Sequence, residues 1–507
     1  MIRKYPIGMQ SFREIREGGY IYVDKTEIIH HVVETGKYYF LSRPRRFGKS
    51  LLVDTIEELF KGSKTLFEGL WIHNQWDWSK TNPVIHFNFA EIPYKEVGLE
   101  EALKIELTRN AGLVGVALEA KTLQGMFREL IERTAAGIGQ VVLLIDEYDK
   151  PLIDFLHDTD QLEANRSVMK SFYSILKGRD GQIRLLFITG VSRFSRVSIF
   201  SDLNNLEDIT IDRNFHSLVG ITQAELETVF AEEIGSMESE YPDVIEQIRK
   251  WYNGYSWGED KRLYNPFSLL NLMKGRAFMN YWFTTGTPTF LFEQLKQRKL
   301  GDMDGVEVSL NTLADFNTDR LNMASLLFQT GYLTIKELDG QLCTLGYPNQ
   351  EVRQSLLDGL LNTYRESEIT DSLSLVTALR RSLVAGDVER TVAALNGLIG
   401  EVPYDHWNAD TESIFTIITV LVFKLAGVEV YTEVHSAKGR CDVLVKTDDY
   451  IYVIELKLDG TAQEALDQVI AKNYLQPYGA DGRKKLAIGI SFSSADRHVA
   501  EYLVKEV

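Results

Sequence analysis

The stretch YFLSRPRRFGKSLL, Tyr39 to Leu52, decides the fold of the first part of the chain. Its apolar start predicts a short buried strand, and an amphipathic helix begins at Lys49 after the loop Ser42 to Gly48. Strand, loop, Gly-Lys-Ser and helix is the context of a phosphate-binding P-loop, because backbone N–H groups at a helix start point at an anion. In such a site Lys49 reaches the β- and γ-phosphates, and Ser50 places its hydroxyl on Mg²⁺.

The loop departs from the usual P-loop pattern at Arg43, which stands where the pattern has a glycine. Proline, two arginines and a phenylalanine follow, so the loop is stiffer and more cationic than a glycine-rich one. The alternative is an ordinary strand-to-helix turn with a solvated basic face. The interpretation therefore depends on a magnesium-binding partner elsewhere in the chain.

The segment VVLLIDEYDKPL supplies that partner. The aliphatic run Val141 to Ile145 predicts a strand buried on both faces of a parallel sheet, and acids at its carboxyl end lie where such sheets bind ligands. Asp146 would hold Mg²⁺ through water, and Glu147 would polarise the attacking water. Such a run is common by itself, but its pairing with the upstream Gly-Lys-Ser makes it specific.

A third buried strand is predicted from Ile183 to Thr189, and Asp208 to Ile211 is predicted as the last strand of the sheet. Thr189 is the candidate sensor of the γ-phosphate, and Arg193 is the candidate arginine finger, with a surface arginine as the alternative. The residues predicted to bind the nucleotide are Arg45, Arg46, Phe47, Gly48, Lys49, Ser50, Leu51, Asp146, Thr189 and Arg193; Ser50 and Asp146 would be the metal ligands.

Bulk properties bound the class of protein. With 507 residues the chain is long enough for two to four domains. A net charge of −17 argues against a broad basic surface but leaves room for a local basic groove. Two cysteines exclude a disulfide framework, and we find neither a signal sequence nor a membrane span. We expect a cytoplasmic protein with no membrane association.

The middle of the chain is helical by pattern. Residues 216–345 are dense in aromatics, which favours a core over a base-stacking platform, and predict a helical lid with winged-helix character. Ser325 to Lys336 and Gly340 to Tyr347 would be its terminal strands. Residues 346–403 predict a helical connector. The first domain would thus span residues 1–215 and the last 404–507.

The last hundred residues carry a second set of polar side chains. Asp442 lies near the start of one predicted strand, and the next strand contains Glu455 and Lys457, which alternation places on one face. Two carboxylates on adjacent strands can hold hard divalent cations, and a nearby lysine can orient the attacking water. Glu412 on a preceding helix and Gln468 on a following one complete the set. The alternative is a solvent-facing pair on an edge strand.

We therefore predict an α/β chain with two sites. The residues predicted to be catalytic are Glu147, Asp442, Glu455, Lys457, Glu412 and Gln468, and Asp442 and Glu455 would be metal ligands in the second site.

Both halves resemble known families. The run YPIGMQSFREIREGGYIYVDKTEII, with YFLSRPRRFGKSLL after it, resembles the bacterial AAA-ATPase-like family over roughly residues 3 to 215. In that family RPRRFGKS stands where a glycine-rich loop would be. The resemblance implies ATP and Mg²⁺ as cofactors and an additional-strand P-loop sheet, in which the Thr189 strand lies between the P-loop strand and the Asp146 strand.

The C-terminal hundred residues resemble the PD-(D/E)XK nuclease superfamily. Asp442, Glu455 and Lys457 match its catalytic core, and Glu412 matches its helical acid. Gln468 and Tyr474 match a Gln…Tyr helix motif only loosely, because the usual spacing is shorter.

Three functions follow as hypotheses. The first is an ATP-dependent switch coupled to a Mg²⁺-dependent nuclease acting on DNA, in defence against foreign or mobile DNA. The second is a signalling or scaffold NTPase whose nuclease-like fold binds nucleic acid or a protein partner without cleavage. The third is a slow NTPase that forms a homo-oligomer on binding ATP.

Overall fold

The computed structural model describes residues 3–192, 199–200, 203–258, 261–282, 289–314, 322–365, 369–403, 411–436 and 439–507. The chain forms two compact units. The first comprises Met1–Thr285 with Asp304–Val352, and the second comprises Gly286–Met303 with Arg353–Val507. The predicted boundaries at residues 215, 345 and 403 divide the chain more finely, and that division stays a prediction.

A parallel sheet forms the centre of the first unit. Its strands are β1 Tyr38–Ser42, β2 Val84–Asn88, β3 Val141–Asp146, β4 Ile183–Gly190 and β5 Glu207–Asp208. The spatial order is β2-β3-β4-β1-β5, and all neighbours are parallel. Strand β4, which carries Thr189, therefore lies between β1 and β3, as the family resemblance implied. Strands β1 and β3 are buried along their whole length, which explains their continuous apolar sequences.

The last strand of this sheet is shorter than predicted. The expectation of Asp208 to Ile211 was wrong at its end, because β5 stops at Asp208. The Asp208 carboxylate accepts a hydrogen bond from the backbone N–H of Thr210, and the Thr210 hydroxyl, instead of a backbone carbonyl, accepts from the N–H of Ser42, so the regular strand pairing with β1 ends here.

In the described part of the chain, the α-helices connect the strands of this sheet and of two further sheets. They are α1 Phe12–Glu17, α2 Thr26–Thr35, α3 Lys49–Phe60, α4 Tyr94–Val97, α5 Leu99–Leu113, α6 Leu123–Gly137, α7 Lys150–Ile153, α8 Thr159–Ser174, α9 Gln223–Val229, α10 Ala231–Met237, α11 Val244–Tyr252, α12 Pro266–Gly275, α13 Thr289–Gln297, α14 Leu310–Ala314, α15 Met323–Thr330, α16 Gln350–Arg365, α17 Ile369–Ala385, α18 Val388–Gly400, α19 Thr411–Leu425 and α20 Ala462–Lys472. Short 3₁₀ turns lie at Lys64–Phe67, Trp71–Asn74 and Gln476–Tyr478.

A small antiparallel sheet completes the first unit. Strands β6 Val306–Ser309, β7 Thr334–Asp339 and β8 Leu342–Gly346 pair in the order β6-β8-β7. The predicted strand from Ser325 to Lys336 was wrong over its first half, because helix α15 runs to Thr330 and ends at Gly331 with φ 91°. Asn322 caps the start of that helix. A short apolar sequence of this kind is compatible with either a helix or a strand, which explains the error.

A buried acid near the start of α16 makes the stability of the first unit depend on pH. Glu351 is fully buried and accepts a hydrogen bond of 2.8 Å from the backbone N–H of Trp282. Burial raises the pKa of this carboxyl to about 7. A raised folded-state pKa stabilises the fold below the ordinary pKa, and that stabilisation is lost as pH rises through about 7.

Glu351→Gln is therefore expected to leave stability nearly unchanged at about pH 4 and to raise it by about 3 kcal/mol at about pH 8. The reason is that glutamine keeps the hydrogen-bonding carbonyl and cannot ionise. Thermal unfolding at the two pH values measures the difference, and Glu337→Gln at an exposed position is the control. Equal melting temperatures for Glu351→Gln and wild type at both pH values would contradict the assignment.

The second unit contains a mixed sheet. Its strands are β9 Glu429–Ser436, β10 Gly439–Lys446, β11 Tyr450–Leu458, β12 Lys484–Ser493 and β13 His498–Glu506, in the order β13-β12-β11-β10-β9. The β11–β12 pair is parallel and the other pairs are antiparallel. Strands β10 and β11 are the two strands predicted to carry Asp442, Glu455 and Lys457, whereas β13 was not predicted. Strand β13 lies at the edge of the sheet and is largely exposed, so its sequence shows little alternation of apolar and polar residues.

Helix α20 covers one face of this sheet and is defined at both ends. Thr461 and Glu464 form a capping box at its start, and Asn473 in the left-handed conformation (φ 53°) ends it. The opposite face packs against α17, α18 and α19 in one apolar core. Within the described residues, no helix has the length and apolar character needed to cross a membrane.

Candidate functional site

The predicted P-loop connects β1 to α3 through a left-handed glycine. Gly48 has φ 94° and is the N-cap of α3, so the chain turns into the helix in a conformation that other residues rarely adopt. The Lys49 ammonium is buried and donates to the carbonyl oxygens of Arg43 (2.9 Å) and Pro44 (3.0 Å). Burial lowers the pKa of Lys49, and the charges of Asp146 and Glu147 oppose that change.

Arg43 is a structural residue inside the loop. Its side chain is 0% exposed, and its guanidinium donates to the carbonyl oxygens of Ser42 (2.9 Å), Thr210 (2.7 Å) and His216 (3.4 Å). The same group lies 3.9 Å from the centre of the Trp257 ring, which is cation–π distance. The arginine that replaces the expected glycine therefore ties the loop to residues beyond the parallel sheet.

Phe47 anchors the other end of the loop. Its ring is fully buried and packs edge-on against Tyr255 (5.0 Å between centroids) and Trp257 (5.5 Å). Gly220, with φ 83°, leaves space for it, since a Cβ there would lie 2.7 Å from the ring. Any contribution of Phe47 to ligand binding would thus come from its backbone. The Arg46 guanidinium is exposed and lies 4.9 Å from the Phe267 ring.

The acid pair at the end of β3 meets the end of β4. The Thr189 hydroxyl donates a hydrogen bond to the Asp146 carboxylate, which also accepts from the backbone N–H of Glu147 at 3.1 Å. The predicted sensor and the predicted metal ligand are therefore direct neighbours, as adjacent parallel strands require. Burial raises the pKa of Glu147, and the positive charge of Lys49 works against that rise. Arg193 lies outside the described residues.

Two residues that sequence reasoning missed join β3 to β4 behind this pair. The Asp149 carboxylate is buried and accepts from the backbone N–H of Val191 (3.1 Å) and from the N–H (2.6 Å) and hydroxyl (2.5 Å) of Ser192. The Tyr148 hydroxyl donates to the Ser192 carbonyl at 3.1 Å. The third acid of the DEYD sequence was the available signal, but its partner is more than forty residues away.

The loop, the start of α3 and the β3–α7 turn line a cavity of about 330 Å³. Its charged lining consists of Arg45, Arg46, Lys49, Glu147 and Lys150. Phe47, Gly48, Ser50 and Leu51 also line it, so every loop and helix residue predicted to bind the nucleotide borders this one space.

An apolar cavity of about 100 Å³ adjoins the charged one and shares Phe47, Gly48 and Leu51 with it. Aliphatic side chains make up much of its wall: Ile21, Val23, Leu218, Val219, Ile221 and Leu270. The Lys25 ammonium lies at this wall and is paired with both oxygens of Glu225, at 2.6 and 2.7 Å.

The second site lies between β10, β11 and α20. The Asp442 carboxylate accepts from the backbone N–H of Leu456 at 2.8 Å, which joins the two strands at this point. Glu455 and Lys457 both face α20, as alternation predicted, and both contact Gln468: its amide NH₂ donates to Glu455, and its carbonyl accepts from Lys457 at 2.8 Å. Four predicted residues thus form one cluster.

Glu455 has the properties of a metal ligand. It is 2% exposed, and its Oε2 atom is buried without a hydrogen-bond partner among the described residues. The pKa of this carboxyl is raised to about 7: burial is the main cause, the Asp442 charge also raises it, and Lys457, 3.6 Å away, lowers it. A buried acceptor beside a second carboxylate fits a divalent cation.

Other predicted members of the site are placed differently. Tyr474 donates to the Arg440 carbonyl at 2.8 Å and packs in the core beneath α20. Helix α19 carries Glu412, but the side chain of that residue lies outside the described part. In the part of the chain that the structure describes, three or more acidic, histidine or cysteine side chains do not converge as a metal-binding group.

Two family matches agree with both family resemblances. The sequence pattern of the family described as Predicted AAA-ATPase matches residues 6–200, and that of the PD-(D/E)XK nuclease superfamily matches residues 410–502. Over its whole length the chain is 36% identical to an uncharacterized protein from the vnfD 5′ region of Azotobacter chroococcum mcd 1, of which it covers 99%. The chain also shows a 10% identical likeness to the crystal structure of Cdc6p from Pyrobaculum aerophilum, with a TM-score of 0.25 over 65% of this chain and 89% of that one.

The chain therefore belongs to the predicted AAA-ATPase family, in the form that carries a C-terminal domain of the PD-(D/E)XK nuclease superfamily. Its fold is a P-loop NTPase fold of the AAA type followed by a nuclease-like α/β domain.

Proposed function

We propose that this protein is an ATP-dependent switch that controls a Mg²⁺-dependent nuclease acting on DNA. The observation that carries the proposal is the presence of two residue clusters in one chain, each with the side chains that its chemistry needs. One borders a cationic cavity at a P-loop, and the other surrounds a buried carboxylate oxygen.

At the first cluster, the exposed Arg45 and Arg46 and the ammonium of Lys49 would bind the triphosphate, because each is a cation on the wall of one cavity. Ser50 and Asp146 would hold the accompanying Mg²⁺. Glu147 would take a proton from the attacking water, a role that its raised pKa favours.

The adjoining apolar cavity supports a nucleoside triphosphate, and not inorganic phosphate alone, as the ligand of the P-loop site. It begins where the loop meets α3, and its aliphatic wall offers a base the dry contact that a purine ring prefers. Lys25 and Glu225 place one charged pair at that wall, where it can discriminate among bases.

At the second cluster, Asp442 and Glu455 would hold Mg²⁺, and Glu412 would add a helical acid. Such a metal lowers the pKa of a bound water and stabilises the charge on the scissile phosphate. Gln468 fixes Glu455 and Lys457 relative to each other through its two hydrogen bonds. Lys457 is 34% exposed, so its ammonium can reach a substrate phosphate while it remains hydrogen-bonded.

We propose DNA as the substrate, foreign or mobile DNA as the biological target, and the cytoplasm as the location. Incubation of the purified chain with Mg²⁺, ATP and single-stranded DNA, double-stranded DNA or RNA tests the activity. Products are expected from DNA and are expected to vanish with a chelator. No product from any of the three substrates would contradict the nuclease assignment.

A signalling or scaffold NTPase is the second candidate, and the net charge of −17 favours it, because a nuclease surface attracts DNA through basic side chains. In this case the nuclease-like domain binds nucleic acid or a protein partner without cleaving. A salt titration of DNA binding separates the two: a steep salt dependence with no products supports the scaffold. The third candidate, a slow NTPase that forms a homo-oligomer on binding ATP, is tested by light scattering. In the Glu147→Gln variant such a protein would show a larger mass with ATP than without it.

A further inference from the structure

The turn between β3 and α7 sends its side chains in two directions. Glu147 has φ 52°, a left-handed conformation that is uncommon for a non-glycine residue. After this bend, Glu147 and Lys150 border the charged cavity, whereas Tyr148 and Asp149 are buried against Ser192. The buried pair fixes the turn to β4, so the two cavity residues project from a rigid support.

The Lys150 ammonium is weakly paired and partly exposed, so it is available to contact a ligand. Its ammonium is 3.8 Å from the Asp154 carboxylate, and its side chain is 30% exposed. Asp154 has closer partners, since the Lys95 ammonium is 2.6 Å away and the Tyr94 hydroxyl 2.7 Å away. Lys95 therefore neutralises the charge of Asp154 without Lys150, and Lys150 remains a cation on the cavity wall.

We propose that Lys150 is a catalytic cation that contacts the γ-phosphate of bound ATP; this inference rests on the proposed ATPase function. Lys150 follows the water-activating Glu147 by three residues on the same turn and shares the cavity with it. Lys49 and the loop arginines border that cavity from the P-loop side. The γ-phosphate would thus meet one cation from the P-loop helix and one from the β3–α7 turn.

The chemistry of hydrolysis explains the need for this second cation. The water oxygen bonds to the γ-phosphorus while the bond to the β–γ bridging oxygen breaks. The water proton passes to Glu147, and ADP and inorganic phosphate leave. Negative charge is spread over the γ-phosphoryl oxygens in the transition state, where a positioned cation is most effective. Lys150 exchanges no proton in this step.

Lys150→Met is expected to lower kcat for ATP hydrolysis by about a hundredfold and to raise KM by about tenfold or less, because the cation contacts the γ-phosphate in bound ATP and more strongly in the transition state. It should also lower the preference for ATP over ADP by about tenfold in competition with a fluorescent nucleotide, because only ATP carries the γ-phosphate. Lys150→Arg should recover part of both losses. Lys95→Met is the matched control: it removes the other lysine of Asp154, which does not border the cavity.

The two measurements separate the failures. Wild type that binds neither ATP nor ADP overturns the proposed function and this inference with it. If wild type hydrolyses ATP and Lys150→Met keeps its kcat, only the role of Lys150 is overturned. If wild type binds ATP without hydrolysing it, the preference for ATP over ADP is the test. An equal preference in wild type and Lys150→Met overturns the role of Lys150, and a lower preference in Lys150→Met supports that role.

Discussion

Replacing Glu455 by glutamine is expected to lower metal-dependent cleavage of DNA by about a thousandfold or more, because the site loses one of its two described carboxylates. The change should leave the fold intact. Glutamine keeps the carbonyl that accepts from Gln468, and it removes a charge that burial already disfavours. Cleavage rates with Mg²⁺, together with thermal unfolding, measure both effects.

Two further variants make that result specific. Lys457→Ala should abolish cleavage as well, whereas Asp467→Asn should cleave like wild type. Asp467 precedes Gln468 on α20 but is exposed and accepts only from Gln463. ATP binding should persist in all three variants. Cleavage by Glu455→Gln at the wild-type rate would show that the nuclease activity does not use this cluster.

Arg43→Gly restores the glycine of the common P-loop pattern, yet we expect it to be strongly destabilising. The substitution removes a fully buried guanidinium and leaves the carbonyls of Ser42 and Thr210 without their donor. A buried acceptor left without its donor costs about 1–3 kcal/mol, so the loss of both hydrogen bonds is expected to cost about 2–6 kcal/mol. Because the Lys49 ammonium is bound to the Arg43 carbonyl, nucleotide binding should weaken together with stability.

Thermal unfolding and nucleotide titration measure this second prediction. Arg45→Gly is the control for stability, since Arg45 is exposed in the same loop and its loss should cost much less. A variant Arg43→Gly as stable as wild type would mean that the loop holds its shape without the buried arginine.

Local pattern was enough to predict much of the fold and of both sites. Continuous apolar runs identified β1, β3 and β4, because strands buried on both faces need no polar alternation. Strict alternation placed Glu455 and Lys457 on one face of β11. The sheet order came from the family resemblance, since spacing alone does not choose between parallel neighbours.

What could not be predicted depends on contacts between distant parts of the chain. Arg43 is held by Thr210 and Trp257, which lie more than 160 residues further on, so sequence alone suggested a missing glycine. Asp149 meets Ser192 only because β3 and β4 are neighbours. Lys150 was not singled out from the sequence, because it borders the cavity only through the bend at Glu147.

The buried arginine of the loop also bears on where the chain can be shortened. Its partners extend to residue 257, well past residue 200, where the family match ends. A fragment ending at residue 200 lacks Thr210 and Trp257 and would leave the Arg43 guanidinium and the Phe47 ring without these partners. We therefore expect a fragment of residues 1–200 to be less stable than one that extends past Trp257.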